Sequence, residues 1–470
     1  MAVSVTVTAV KIDVTSTGGA LVTMSDIVTA VGDTAVMEEV GTVITIKRAA
    51  GQVYREFEIS AGCKVEYEED YTINHEGISN TSTYTQLEWA SGSYVKLNPG
   101  VTIDMNSDNQ TYARSYLYAY GEVEAVGTLA KPITLKKMRN FYLAAAYDQE
   151  YEYVYFQDWT YLTSFCLSLG YQVISNTAPQ VSLKHCRVEN TNANYFGYGM
   201  YSTSGNRTLD NFTIEDCVFT HLYYPLYMTT TAGGMKFTRC EWSDCPIQPV
   251  IYGAGGYGLS EIGSTNIGSG FKQNTHQGYF YFDECTFDDV DNGVYGAYLL
   301  FNTNAILKNC TIKNQSYGIT SQYGSKVYEL GTTTFDTVTT ARAYAYQGGT
   351  FPSYELGITV RDLAGSPVDD AIVEIRQNDG YATWHVSTDS NGEVLGAYGD
   401  KTVLPERGYY GVTSFEDWSE YTVTVTKQGY CTEFVSVTSD ADKDIIVTLT
   451  PINTGATVIN DAVINNSVIN

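Results

Sequence analysis

The chain has 470 residues with a formal net charge of −26 and a sequence pI of about 4.4. So acidic a chain excludes nucleic acid as a partner, because phosphate binding needs clustered Lys and Arg, and the one short basic cluster is Lys136-Lys137-Met138-Arg139. No apolar run reaches the ~18 residues a membrane span takes, so no membrane insertion is expected. Forty Tyr against ten Pro, with Val and Thr abundant, is a strand-forming composition.

Residues 1–50 are expected to form an N-terminal cap. Val3, Val5 and Val7 alternate as in a strand, Met24 to Val31 reads as a short helix capped by Ser25 or Asp26, and Thr42 to Ile46 returns to strand. Met1 to Val7 lacks the basic n-region and continuous apolar core of a secretory leader, so export without one is expected. In residues 51 to about 130, Ile59 to Val65 and Leu97 to Ile103 share one form: an apolar residue, a Gly corner, then a new strand. The glycine supplies the positive φ of a tight corner.

From residue 131 a six-residue pattern recurs, as in Leu183-Lys184-His185-Cys186-Arg187-Val188 and Ile214-Glu215-Asp216-Cys217-Val218-Phe219. Cys240, Cys285 and Cys310 occupy the same slot, Thr333 a later one, and Met138 and Trp159 are assigned to earlier ones. The slots step by 21, 27, 31, 23, 45, 25 and 23 residues, the 45 reading as two intervals. Such a period marks a stacked solenoid, in which each turn buries its inward residues only against its neighbours. The slot cysteines are therefore expected to form a buried apolar ladder. None of the nine Cys forms a CxxC pair, and the five His make no metal-binding spacing, so no cofactor and no metal are expected.

These coils, each a strand, a Cys slot, an Asn corner such as Val188-Glu189-Asn190 and then a Tyr-Gly strand such as Tyr317-Gly318-Ile319, resemble the right-handed parallel β-helix of the pectin-lyase-like group. The resemblance implies a β-helix over residues 51–352. After it, Val360-Arg361-Asp362-Leu363-Ala364-Gly365-Ser366-Pro367-Val368, Thr388-Asp389-Ser390-Asn391-Gly392 and Tyr421-Thr422-Val423-Thr424-Val425 resemble the carboxypeptidase-regulatory-like, transthyretin-type β-sandwich, over residues 353–451. The fold class expected is all-β: a right-handed parallel β-helix followed by a small Ig/transthyretin-like β-sandwich. The tail, 452–470, repeats Val458-Ile459-Asn460, Val463-Ile464-Asn465 and Val468-Ile469-Asn470 and reads as a strand offered to another chain.

Relatives of this fold include lyases, hydrolases, adhesins and passive spikes, so function has to be argued from a site. Acidic residues are abundant beside the slots, and any two on adjacent coils could approach, so no catalytic residue is singled out. Tyr195, Tyr198, Tyr201, Tyr223, Tyr224, Tyr227, Tyr295 and Tyr298 recur at comparable places on successive coils. Tyrosine faces stack on sugars and on partner proteins, although an internal aromatic stack would give the same spacing. The expectation is a structural or adhesive surface protein of a virion, such as a bacteriophage tail spike, head fibre or decoration protein. Its partners would be other virion proteins, copies of itself (a trimer by analogy) and host surface glycans. A polysaccharide-degrading spike and a secreted adhesin or filament subunit at the cell surface are the alternatives, with no enzymatic activity favoured.

Overall fold

The structure is a computed structural model and describes residues 3–8, 11–16, 21–47, 56–75, 84–105, 114–143, 147–160, 165–169, 181–192, 195–202, 212–228, 236–245, 250–252, 279–288, 299–302, 304–322, 326–345, 349–378, 383–394, 401–405, 407–410, 414–417 and 420–452. The chain forms two compact units, the first mainly from residues up to Phe351 and the second mainly from Pro352 onward.

The first unit is a right-handed parallel β-helix. Each regular coil carries three strands, as in Val181–Lys184, Arg187–Glu189 and Tyr198–Ser202. Each strand pairs in parallel with its counterpart one coil on: Val181 with Phe212, Arg187 with Val218, and Tyr198 with Tyr224. The N-terminal residues already contribute to the stack, since Lys11–Ser16, Leu21–Thr23 and Val43–Ile46 pair in parallel with strands of the next coil. The helix Met24–Val31 is capped by Thr23 rather than by Ser25 or Asp26. Asp26 lies three positions inside and reaches back to the Thr23 N–H at 3.0 Å, closing a capping box.

Two corners in each regular coil use the same local device, a non-glycine residue at positive φ followed by an inward side chain. At the first corner these residues are Tyr153, His185, Asp216, Arg239, Glu284 and Asn309, with φ between 49° and 53°. Left-handed backbone costs a residue with a Cβ ~1–2 kcal/mol. The stack offsets the cost by giving each of these N–H groups a carbonyl on the next coil: His185 to Glu215 at 3.0 Å, Asp216 to Thr238 at 2.9 Å, Arg239 to Asp283 at 2.7 Å and Glu284 to Lys308 at 2.8 Å. The second corner uses Lys137, Asp158, His221 and Asp244.

The cysteine ladder is present. Cys186, Cys217, Cys240, Cys285 and Cys310 are free and buried, and the adjoining strand residues pair coil on coil in one register. Each thiol donates back to carbonyls, Cys240 to Thr238 at 3.4 Å and Ile214 at 3.6 Å, Cys310 to Phe282 at 3.3 Å and Lys308 at 3.5 Å.

Two readings of the repeat are corrected. Arg187 pairs with Tyr155, so the slot residue one coil before Cys186 is Val154, and Ile133 precedes it. Met138 and Trp159 belong to the second corner, with Leu222 and Cys245, each directly after a left-handed residue. The 45-residue step is also not two coils. Lys236–Thr238 pairs directly with Tyr279–Asp283, and Glu241 with Thr286, so it is one coil with a long excursion.

The core is a set of inward ladders. Phe219, Trp242 and Phe287 stack with centroids 5.6 and 4.9 Å apart and planes within 9°. Phe237 and Phe282 stack at 5.0 Å. The second corner holds a buried polar residue, Asn190, which accepts from the Trp159 N–H at 2.9 Å and donates to the carbonyls of Phe196 at 2.7 Å and His221 at 3.0 Å. It ties its own coil to both neighbours.

In the second unit, Thr383–Ser387, Ile372–Gln377, Glu420–Thr426 and Glu433–Thr438 form an antiparallel sheet in that order. The strand Gly349–Asp362 pairs antiparallel with Lys401–Pro405 and in parallel with Lys443–Leu449. Val373, Ile375, Val423 and Val425 from the one set and Ile358, Val360, Val447 and Leu449 from the other are buried, an arrangement that fits a small β-sandwich. The motifs at Asp362 and Asp389 are turns. Asp362 Oδ1 accepts the N–H groups of Ala364 and Ser366, and Asp389 Oδ1 those of Asn391 and Glu393, all at 2.9 Å. Gly392 has φ 74°, and a Cβ there would lie 2.3 Å from the Val360 carbonyl oxygen.

Candidate functional site

The three strand columns of the β-helix differ in what they turn outward. The column through Arg187–Glu189 presents threonines and charge pairs: Thr286, Thr311 and Thr334 in one row, with Lys313 on Asp288 at 3.1 Å and Arg187 on Glu189 at 2.8 Å nearby. The column through Val181–Lys184 carries pairs such as Lys96 with Glu66 at 3.7 Å and Lys236 with Asp283 at 3.6 Å. The third column, through Tyr198–Ser202, carries the stacked tyrosine pairs, while Tyr94 and Tyr155 stand partly exposed on the other two.

On that column Tyr198 is in register with Tyr224, and Tyr201 with Tyr227. The Tyr198 and Tyr224 rings stack at 4.8 Å with an 18° angle. Tyr201 lies 5.5 Å from Tyr198, and Tyr223 meets Tyr224 edge-on at 5.0 Å. All four are partly exposed. The Tyr227 side chain, and Tyr295 and Tyr298 altogether, lie outside the described residues, as does the whole glycine-rich segment 253–278. Tyr195 stands apart from this group. It sits at the second corner, its ring 4.0 Å from that of His221, and donates to Asp244 Oδ1 at 3.0 Å. His221 Nδ1 lies 2.7 Å from Asp244 Oδ2.

The same column holds a second group, in the irregular early coils. Tyr116 and Tyr118 pair in register with Asn140 and Tyr142. Tyr118 stacks on Tyr142 at 4.6 Å and 7°, and Tyr120 lies 5.4 Å from Tyr118. Toward the N-terminus the rows continue from Tyr116 to Gln86, Glu56 and Lys11, and from Tyr118 to Glu88, Glu58 and Asp13. Lys11 bridges Asp13 at 2.8 Å and Glu58. Gln86 donates to Glu88. Burial, then Glu58, pushes the Glu88 carboxyl up, with Gln86 opposing. Burial also lifts Glu56, partly countered by Lys11. The signal for this group in the sequence is Tyr116-Leu117-Tyr118-Ala119-Tyr120, a period-2 run that sets three rings on one side of a strand.

Chemically, this column offers phenol rings, carboxylates and amides on a rigid lattice with a rung spacing near ~4.8 Å. Rings stack on sugar faces and carboxylates accept from hydroxyls. Among the described residues, no group of three or more His, Cys, Asp or Glu is arranged to hold a metal ion.

The fold is thus that of right-handed parallel β-helix proteins. A family model described as a right handed beta helix region matches residues 171–336. No curated protein matches the chain. Among solved structures, 3-chlorocatechol 1,2-dioxygenase from Rhodococcus opacus 1CP aligns at 13% identity over 21% of this chain and 60% of that enzyme, with a TM-score of 0.16. A likeness at that TM-score carries no argument about this chain.

Proposed function

We propose that this protein is a structural, adhesive component of a virus particle's surface, a bacteriophage appendage such as a tail spike, head fibre or decoration protein. Its β-helix is the rigid shaft, and the tyrosine column attaches it to carbohydrate on a host surface. The observation that carries the reading is the stacking in register of partly exposed tyrosines on one column, Tyr198 on Tyr224 and Tyr118 on Tyr142. A core needs no such outward ladder, and a ring lattice of fixed spacing suits a repeating glycan. The second unit serves, on this reading, as a carboxypeptidase-regulatory-like adhesive module, and residues 452–470 as a strand donated to another copy or to a neighbouring virion protein. The test is mass spectrometry of purified particles, joined to binding of the isolated chain to host surface glycans. Absence from particles, or no glycan binding, overturns the reading.

A second reading, a glycan-cleaving spike, is favoured by Glu58 and Glu88. They face outward at one register on adjacent strands, one ion-paired to Lys11 and the other lifted by burial. Release of reducing ends, abolished in Glu58→Gln, would establish it.

A further inference from the structure

The two ends of the coil stack differ. In the last coil, Arg342 holds the buried Glu329 carboxylate at 2.6 and 2.5 Å and lies over the Phe335 ring at 4.8 Å, so a layer of charge ends the core. The first coil ends on valines. Val3 and Val5, from the strand Val3–Val7, and Val28, Val31 and Val36 pack against the core yet stay partly exposed, and Val7 is exposed. The strand pairs antiparallel with Lys11–Ser16 and, among the described residues, with no other. That pairing uses the even residues: the Thr8 N–H donates to the Lys11 carbonyl at 2.8 Å, and the Ser4 carbonyl accepts from the Thr15 hydroxyl at 3.1 Å. Backbone groups alternate sides along an antiparallel strand, so Val3, Val5 and Val7 turn their N–H and C=O groups to the open edge. No described residue meets them there. Open edges are ordinarily blunted by charge, proline or a bulge. Here the register is regular, and residues 1–10 hold no charged residue and no proline.

We propose that two copies of the chain join end to end through this edge, their Val3–Val7 strands pairing antiparallel about a two-fold axis at Val5. The strand is complementary to itself. With Val5 opposite Val5, and Val3 opposite Val7 of the second copy, every outward N–H meets a C=O. The valines of both copies then form one apolar strip on one face of the joined sheet. Charge selects the occupant. A chain of net charge −26 repels its own copies over most of its surface, and this uncharged end is where two of them can meet. The tail, 453–470, is also poor in charge, but its repeat of five would set Ile459 and Ile464 on opposite sides of a strand, whereas this edge has apolar side chains to cover on one side only. The pairing is independent of what the tyrosine column binds.

The experiment is analytical ultracentrifugation of the full chain over a concentration series, joined to disulfide mapping in a Cys431→Ser background, which removes the exposed thiol. The mass should rise with concentration from 51.8 kDa to twice that value. Val5→Pro deletes an N–H that faces the edge and takes no part in the internal pairing. It should weaken the dimer at least about tenfold, the scale of the hydrogen bonds lost at the axis. Ser4→Glu with Thr6→Glu, at two exposed side chains, should weaken it too, by setting like charges opposite one another. Val5→Cys should give a diamide-induced disulfide between copies, since residues paired across the axis lie within disulfide reach, and Val7→Cys should not. A chain that stays at 51.8 kDa throughout the series overturns the proposal, as does linkage through Val7→Cys and not Val5→Cys. Loss of the dimer on removal of 453–470 also overturns it, because the tail would then be the occupant. The mass of the unaltered chain and the cross-links decide the matter even if the proline or glutamate variant misfolds.

Discussion

Tyr198 and Tyr224 stand one coil apart on the same outward row, their rings parallel to within 18° and 4.8 Å apart. The ring separation is close to the strand separation of a parallel sheet, so the backbone sets the stack and the tyrosines inherit it. Removing one ring should cost little stability, because an aromatic pair adds only ~0.5–1.5 kcal/mol beyond its burial. Tyr198→Ala and Tyr224→Ala should each weaken glycan binding severalfold with a nearly unchanged melting temperature. Titration paired with thermal denaturation checks this.

Burial raises the thiols of Cys166, Cys217, Cys240 and Cys285 well above their ordinary value, whereas Cys431 is exposed. Native protein treated with iodoacetamide at pH 8 should therefore be labelled at Cys431 alone, and at all nine cysteines after unfolding. Peptide mass spectrometry reads the sites directly. Cys240→Ala should cost about 1–2 kcal/mol, the scale of a small side chain lost from a packed interior.

Asp216 lies between His185, at 3.8 Å, and the Arg239 guanidinium, at 2.7 Å. The hydrogen bonds from Arg239, opposed by burial and joined by its charge, hold the Asp216 carboxyl below the usual range. A lowered folded-state value means stability that is fully present above the unfolded value of ~3.9 and is lost as pH falls through the folded one. Asp216→Asn should lower the melting temperature slightly at pH 7, the pair being partly exposed and screened, and the difference should vanish as pH drops below that window.

Glu88 has the opposite sign. Its folded value is raised, so its ionised form is disfavoured in the fold. The penalty is fully present above the folded value and disappears as pH falls below the unfolded ~4.3. Glu88→Gln should raise the melting temperature at pH 7 and have no such effect at pH 3.5. A melting series across pH resolves the crossover.

Asn190 joins three coils through one amide. Asn190→Ala leaves the Trp159 N–H and two carbonyls without that partner, at about 1–3 kcal/mol for each buried group left unmet. Chemical denaturation of the variant should show one of the larger losses for a single polar substitution in the first unit.

Much of the fold can be read from the chain because inward positions obey one rule. A buried residue follows a polar one at positive φ, and Cys186, Cys217, Cys240, Cys285 and Cys310 repeat it in register. The same rule misplaced Met138 and Trp159. Both corners of a coil follow it, and only the pairing of Tyr155 with Arg187 tells them apart. Tyr198, Tyr201, Tyr223 and Tyr224 stand out because their coils are regular. Tyr116, Tyr118, Tyr142 and the carboxylates beside them do not, because they come from coils whose connections differ in length. Glu58 and Glu88 meet only through a register that local sequence does not carry.

The direct pairing of Lys236–Thr238 with Tyr279–Asp283 separates chain length from axial pitch. Residues can be added after Tyr252, the last strand residue before Tyr279, without a gap opening in the ladders, just as the 45-residue step already adds them. That makes the connection a natural grafting point. A peptide inserted between Tyr252 and Tyr279 should leave the pairing of Val250–Tyr252 with Leu299–Asn302 and of Lys236–Thr238 with Tyr279–Asp283 unchanged.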